Sequence, residues 1–322
     1  MAVLTPITIE EARRFTTEYD LGELHGLSGI SAGSVNSNFM LSLGESRVFL
    51  RIYEEQDAAG GAREAAMLQL LAASGVPTPA PIARRDGGLM SALRGKPAAL
   101  FPWREGAICC QAGVTTKTAE RVGQAVAQVH VAGAGVPSQP GRFGFESLLE
   151  RLDAIARSGN ARFEALVPAL REALARTHQA RDQGLPSGLI HSDLFRDNVL
   201  WDPEGSLAAL LDFESACAGT YVYDLMVCIL SWCFGSDLQP ELAAAMCSGY
   251  RRVRPLSEAE LAAMLVEGSF AALRFTITRI TDYGLREQTA GPRVIKDWSR
   301  FQARFDRLQS LGATGLRRAL GV

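Results

Sequence analysis

The sequence predicts an α+β protein in which a small antiparallel β lobe precedes a larger, mainly helical lobe. Three observations predict it. Short alternating apolar runs, separated by turns bearing Gly, Asp and Arg, fill the N-terminal third. After Thr115 the apolar period changes from two to near four. Between the helical stretches lies one block, residues 189–212, that returns to short strands and carries acid and amide side chains at fixed spacing.

In chain order, residues 8–19 read as a helix, with Thr8 as its cap and Glu11 completing a capping box. Residues 24–30, 35–43 and 47–53 read as strands, and Gly44-Glu45 turns between the last two. The segment between the first two, Ser31-Ala32-Gly33-Ser34-Val35-Asn36-Ser37-Asn38, is rich in small, hydroxyl and amide residues. Such a hairpin can wrap an anion with backbone N–H groups, which makes Ser31, Ser34, Asn36 and Asn38 candidate ligand contacts. Alternation along residues 48–52 puts Phe49 and Arg51 on one face and Val48, Leu50 and Ile52 on the other. A helix follows over residues 62–73, stopped by Ser74-Gly75-Val76-Pro77, and Glu64 in its first turns is placed to pair with Arg51. Strands at 81–83, 89–92 and 97–101 complete a five-stranded sheet. Phe101-Pro102-Trp103 marks a hinge, so the expected domains are 1–103 and 104–322. Helices are then expected at 118–132, 145–157, 162–183, 221–233, 239–253, 258–283 and 293–311. His130, following Val126 and Val129, is expected as a buried, hydrogen-bonded histidine.

Composition narrows the function classes. A formal net charge of −2 offers no electrostatic case for nucleic acid or an anionic membrane. No apolar run is expected to span a bilayer, and residues 1–6 lack a basic segment followed by an apolar one. A cytoplasmic protein, monomeric or a small homo-oligomer, is the expectation. None of the 6 cysteines lies in a Cys-x-x-Cys pair, so they read as reduced thiols, several of them in the core.

The 189–212 block holds Asp193, Asn198 and Asp212. Short strands at 199–201 and 207–211 flank a turn at 202–205, which places Asp193 and Asn198 on a loop and Asp212 at a strand end. Phosphoryl transfer needs this set: an acid to accept the proton of an attacking hydroxyl, and an amide and a second acid to hold magnesium against nucleotide phosphates. His191-Ser192-Asp193, then Asn198, then Asp212-Phe213-Glu214 resembles the catalytic loop and metal motif of the protein-kinase-like superfamily. This implies a two-lobe fold, with His191 and Asp193 in the catalytic triplet and Asn198 and Asp212 on the metal. Val48-Phe49-Leu50-Arg51 stands where kinases carry Val-Ala-Ile-Lys. The chain has lysine only at 96, 117 and 296, so Arg51 is the candidate to replace the phosphate-binding lysine. In the same frame Glu64 pairs with Arg51, and Phe101 and Trp103 face the adenine.

The resemblance is strongest to homoserine kinases of the aminoglycoside-phosphotransferase and choline-kinase-like type. It is carried by residues 29–39, Gly75-Val76-Pro77-Thr78-Pro79, residues 191–200, residues 212–217, Tyr223-Asp224-Leu225, Ser231-Trp232-Cys233 and residues 273–279. It implies use of ATP with Mg2+ and a product, O-phosphohomoserine, that serves threonine biosynthesis. Homoserine is a zwitterion, whose carboxylate wants arginine and whose ammonium wants an acid. Arg274 and Asp282 share a helix stripe, with Arg279 beside it. These three, with Arg196, Glu214 and Trp232, are the substrate-side candidates, and Asp224 is expected to anchor the motif loop. Acceptors of aminoglycoside, choline or methylthioribose type are the alternative. A non-catalytic nucleotide-binding module would usually lack one of Asp193, Asn198 and Asp212.

Overall fold

The computed structural model describes residues 3–30, 35–285 and 296–322. The chain forms two compact units, Met1–Ala107 with Leu200–Glu214, and Ile108–Val199 with Ser215–Val322. The boundary thus falls at 107 rather than 103, and residues 200–214, expected in the second domain, belong to the first. Local bonding explains the transfer. The Leu210 N–H donates to the Pro77 carbonyl at 2.6 Å, and Gly106 (φ 154°) packs so closely that a Cβ there would lie 3.0 Å from the Trp201 carbonyl.

In the first unit, α1 (Ile9–Thr16) starts at the expected capping box. Thr8 N–H donates to Glu11 at 2.8 Å and Glu11 N–H donates to the Thr8 hydroxyl at 3.2 Å. The strands β1 (Gly26–Gly29), β2 (Ser37–Leu43), β3 (Ser46–Ile52), β4 (Ser91–Leu93) and β5 (Lys96–Pro102) form one antiparallel sheet in the order β1-β2-β3-β5-β4. Val48, Leu50 and Ile52 of β3 join Leu41, Leu43 and the α1 residues Ala12 and Phe15 in the core. Each such burial contributes roughly 1.5–3 kcal/mol, which fixes the register and sends Phe49 and Arg51 to the opposite face. Residues 81–83 make no strand; Ile82 N–H gives a single bond to Leu100. The helix α2 (Ala58–Ala73) begins four residues earlier than expected (58 against 62), because the Asp57 carboxylate caps it from Gly60 N–H at 2.7 Å. Glycine is a poor helix former, yet Gly60 and Gly61 both stand inside α2. In the fold Gly61 is a close-packing position, where a Cβ would lie 2.7 Å from Met90.

The second unit is built around one helix. It contains α3 (Thr116–Ala132), α4 (Phe145–Ala156), α5 (Ala161–Glu164), α6 (Val167–Gln179), α7 (Tyr221–Trp232), α8 (Pro240–Val253), α9 (Glu258–Arg279) and α10 (Ser299–Leu320). Every residue of α7 is buried. The expected helix at 162–183 is two, since Pro168 starts a new helix at the first turn of α6. The last helix starts at Ser299; the expected start, Arg293, lies outside the described residues. α3 and α8 cross on glycines: a Cβ on Gly123 would sit 2.1 Å from the Met246 carbonyl, and one on Gly249 2.0 Å from the Glu120 carbonyl.

The segment Glu258–Gly284 is long and apolar enough to cross a bilayer, contrary to the sequence expectation. Here 78% of its apolar window is buried inside the protein, and it carries the buried charges Glu267 and Arg274. Cys228, Cys233 and Cys247 are also core residues, and burial pushes their thiols upward, that of Cys247 to about 12.

Candidate active site

The two units carry the candidate residues in two separate groups. In the first unit, Arg51 on β3 lies 3.2 Å from Glu64 on α2 and 3.7 Å from Glu214. Burial works against this cation, but Glu64, Glu214 and Asp212 outweigh it and hold the guanidinium above its ordinary value. Glu64 also accepts from Gln56 at 3.0 Å and from the Tyr53 hydroxyl at 3.4 Å. Asn38 faces Arg51 across the β2–β3 ladder, and Asn38 Oδ1 and Arg51 Nε find no hydrogen-bond partner among the described residues. Those open valences point to a polar ligand on this face. Ser31 and Ser34 lie outside the described residues.

Asn36 corrects the sequence reading. It is 4% exposed, its Oδ1 accepts from Glu54 N–H at 3.1 Å, and its amide nitrogen donates to Glu214. Its amide is used inside the unit rather than turned to a ligand. Glu214 likewise engages Asn36 and Arg51, so it belongs with the Arg51 cluster and not with the acceptor side. Phe101 is buried edge-on against Phe49, with centroids 6.2 Å apart, whereas Trp103 is half-buried under Arg47 at 5.4 Å. Asp212 is exposed and takes a left-handed φ of 61°. That conformation costs a non-glycine residue roughly 1–3 kcal/mol and collects at functional positions.

In the second unit, a loop of residues 191–198 is fixed from three sides. Asp224, wholly buried on α7, accepts from His191 N–H at 2.8 Å, Ser192 N–H at 2.7 Å and His130 Nε2 at 3.0 Å. Burial disfavours this carboxylate, yet the hydrogen bond from His130 and the His191 contacts hold its pKa below the usual range. Burial pulls His130 down as well, so the neutral ring donates Nε2–H to Asp224 and accepts the Tyr250 hydroxyl proton on Nδ1 at 2.8 Å. Asp224 and His130 therefore play the anchoring and buried roles expected of them. From a second side, Trp232 Nε1 donates to the Leu194 carbonyl at 2.9 Å. From the third, Arg274 donates to the Ser192 carbonyl at 2.5 Å and to the Ser192 and Tyr223 hydroxyls, each at 3.1 Å.

This bracing corrects three expectations. Arg274 is 2% exposed and Trp232 fully buried, so both hold the loop rather than meet a substrate. His191 is also fully buried, and its Nδ1 accepts from Asp193 N–H at 3.3 Å, which makes it a positioning residue. Amphipathic spacing cannot distinguish an arginine that lines a pocket from one that props up a loop. Two more substrate-side candidates have their charge engaged. Arg196 donates to Gln111 at 2.6 Å and to the Ser231 carbonyl, and Asp282 pairs with Arg151 at 2.6 Å. Arg279 remains half-buried, stacked on Phe301 at 4.4 Å, with one donor on the Asp297 carbonyl at 2.9 Å. The loop turns at Ser192, whose φ of 67° is left-handed. It presents Asp193 with 29% of its side chain exposed. Asn198 donates its amide to the Asp193 carbonyl at 2.8 Å, which leaves its Oδ1 as the atom able to take a cation. Sequence reasoning missed Arg300 and Arg304 on α10, although their spacing of four on an amphipathic helix was a signal.

The model of the phosphotransferase enzyme family matches residues 26–256 of the chain. The chain belongs to the phosphotransferase enzyme family. Within it, the chain is similar to a homoserine kinase of Rhizobium johnstonii, 37% identical over 290 residues, with 88% of each chain covered. It is also similar to a homoserine kinase of Caulobacter sp., 36% identical over 288 residues, covering 88% of this chain and 89% of that one. Among solved structures it resembles a spectinomycin phosphotransferase in complex with ADP and spectinomycin, with TM-score 0.70, 15% identity and 98% of both chains covered. That likeness is one of fold, and it agrees with the protein-kinase-like architecture of phosphotransferase family members.

Proposed function

We propose that the chain transfers the terminal phosphoryl group of ATP to the hydroxyl of L-homoserine, giving O-phospho-L-homoserine. The observation that carries this reading is the likeness to proteins named homoserine kinase, 37% identical in the first of them, over 88% of both chains. The braced 191–198 loop supports the phosphotransfer part of it. Asp193 accepts the proton of the acceptor hydroxyl as the oxygen attacks phosphorus. Asp224, His191 and Arg274 hold the loop so that the carboxylate is pre-positioned, and Asn198 pins the Asp193 carbonyl. Arg51, kept charged by Glu64, offers its guanidinium to the nucleotide phosphates.

Magnesium is the metal whose chemistry fits. In the first unit the exposed Asp212 carboxylate, and in the second the Asn198 Oδ1, are each a hard oxygen donor of the kind Mg2+ takes. When bound, the ion neutralises charge on the phosphates. The reaction is placed in the cytoplasm, where ATP and amino-acid intermediates meet. The test is a panel of acceptors with ATP and magnesium, read as ADP release. L-Homoserine should be turned over in preference to choline, an aminoglycoside and methylthioribose. Turnover of any of these with homoserine untouched would overturn the acceptor.

A further inference from the structure

A cavity of about 410 Å³ in the second unit lies between residues 234–237, just after α7, and the first turns of α10. Arg300, Arg304 and Arg307 line it, and its acid, Asp237, is already paired with Arg307 at 2.8 Å. Arg304 is 7% exposed. Its guanidinium stacks on Phe301 at 4.3 Å and lies 5.5 Å from the Phe234 ring, and no hydrogen bond or ion pair satisfies it among the described residues. Phe301 carries Arg279 as well, 4.4 Å from its ring. Burial, reinforced by Arg279, Arg300 and Arg196, pulls Arg304 down to about 9. Burial also pulls Arg279 down to about 10, against the attraction of Asp193. A buried cation without a counter-charge is costly, and here Arg304 sits with half-buried Arg279 and exposed Arg300, Arg279 lying within the field of the proposed catalytic acid.

We propose that Arg279, Arg300 and Arg304 form the site that receives the α-carboxylate of the amino-acid acceptor. This rests on the reading of the acceptor as L-homoserine. A carboxylate entering the cavity supplies the missing counter-charge and can accept from two guanidinium groups at once. It leaves the far end of a short amino acid, its hydroxyl, for Asp193. A choline-type or polycationic acceptor brings no anion and would be repelled, so the cluster also sets acceptor specificity.

The decisive pair of acceptors is L-homoserine and 3-aminopropan-1-ol, which is homoserine without its carboxylate. In Arg304→Gln the kcat/KM ratio for homoserine over aminopropanol should fall about ten- to hundredfold, the worth of a charge-assisted hydrogen bond. The KM for ATP should stay put. Arg300→Gln, at an exposed position, should lower the ratio in the same direction without risk to the fold. An equal loss with both acceptors, or no loss with homoserine, overturns the site. Calorimetric titration of L-homoserine into both proteins separates this from the functional reading. If wild type binds homoserine more tightly than Arg304→Gln yet releases no ADP, the kinase assignment fails and the carboxylate site stands. Equal affinity in the two proteins overturns the site whatever the turnover.

Discussion

Arg51, half-buried, and Arg304, buried, live in opposite electrostatic settings. Arg51 in the first unit has Glu64 at 3.2 Å and Glu214 at 3.7 Å, and their charges hold it above its ordinary value. Arg304 in the second unit has aromatic rings and other arginines beside it and no ion pair among the described residues, and it is pulled down to about 9. The same side chain has its charge balanced by the protein in one place, with only Nε left open, and lacks a counter-charge in the other. A cation whose charge the protein has balanced can still lend an open donor to a ligand, whereas one left without an anion marks where an anionic counter-charge is expected.

The largest effect should come from the acid at the centre of the second group. Asp193→Asn should cut kcat by about two to four decades, the range for a positioned acid–base group, while a non-hydrolysable ATP analogue still binds. Single-turnover ADP release together with nucleotide titration checks this. Near-normal turnover would remove Asp193 from the proton-transfer role and leave the second unit with a binding task only.

Asp224 tests whether the loop is truly pre-positioned. Asp224→Ala leaves two backbone N–H groups and the His130 ring without their acceptor. It should cost about 3–5 kcal/mol in denaturant unfolding, as expected when one member of a buried polar cluster is lost. A change under 1 kcal/mol, on the order of a surface substitution, would mean that Arg274 and Trp232 suffice to hold the loop.

Arg51→Ala removes the cation held between Glu64 and Glu214. It should weaken binding of the ATP analogue about ten- to hundredfold, equivalent to roughly 1.5–3 kcal/mol. Unchanged affinity would sink its assignment to the phosphates and reduce Arg51 to a partner for Glu64 and Glu214.

The smallest effect is a pH dependence at His130. Its pKa is lowered in the fold, so below the ordinary value of about 6.5 the unfolded chain binds a proton that the folded one does not. Asp224, lowered as well, adds stability above its unfolded value that is lost only in stronger acid, as pH falls through its folded value. Stability should therefore decline as pH falls through 6.5 (roughly the free-histidine value), and His130→Phe should flatten that decline between about pH 7.5 and 5.5. An unaltered slope would contradict the neutral-histidine assignment.

Much of this could be read in the sequence. Asp193, Asn198 and Asp212 stood out because phosphoryl transfer ties residue type to spacing, and the β3 alternation fixed which way Arg51 points. The capping box at Thr8 and the turns of the sheet were legible from local rules. The start of α2 was not, because glycine is a poor helix former, yet Gly60 and Gly61 both stand inside α2. Arg274 and Trp232 were misassigned for a related reason: periodicity tells which residues share a face, not whether that face meets a pocket or another loop. Nor does it show that Arg304 lacks a counter-charge, since this depends on which acids the fold brings near.

The central claim is most directly tested on the product itself. Wild-type protein incubated with ATP, magnesium and L-homoserine, followed by phosphorus NMR, should yield a phosphate monoester on the homoserine hydroxyl. It should form in equal amount to ADP, and about two to four decades more slowly with Asp193→Asn. ADP without that ester, or phosphate carried on the carboxylate as an acyl phosphate, would contradict the account.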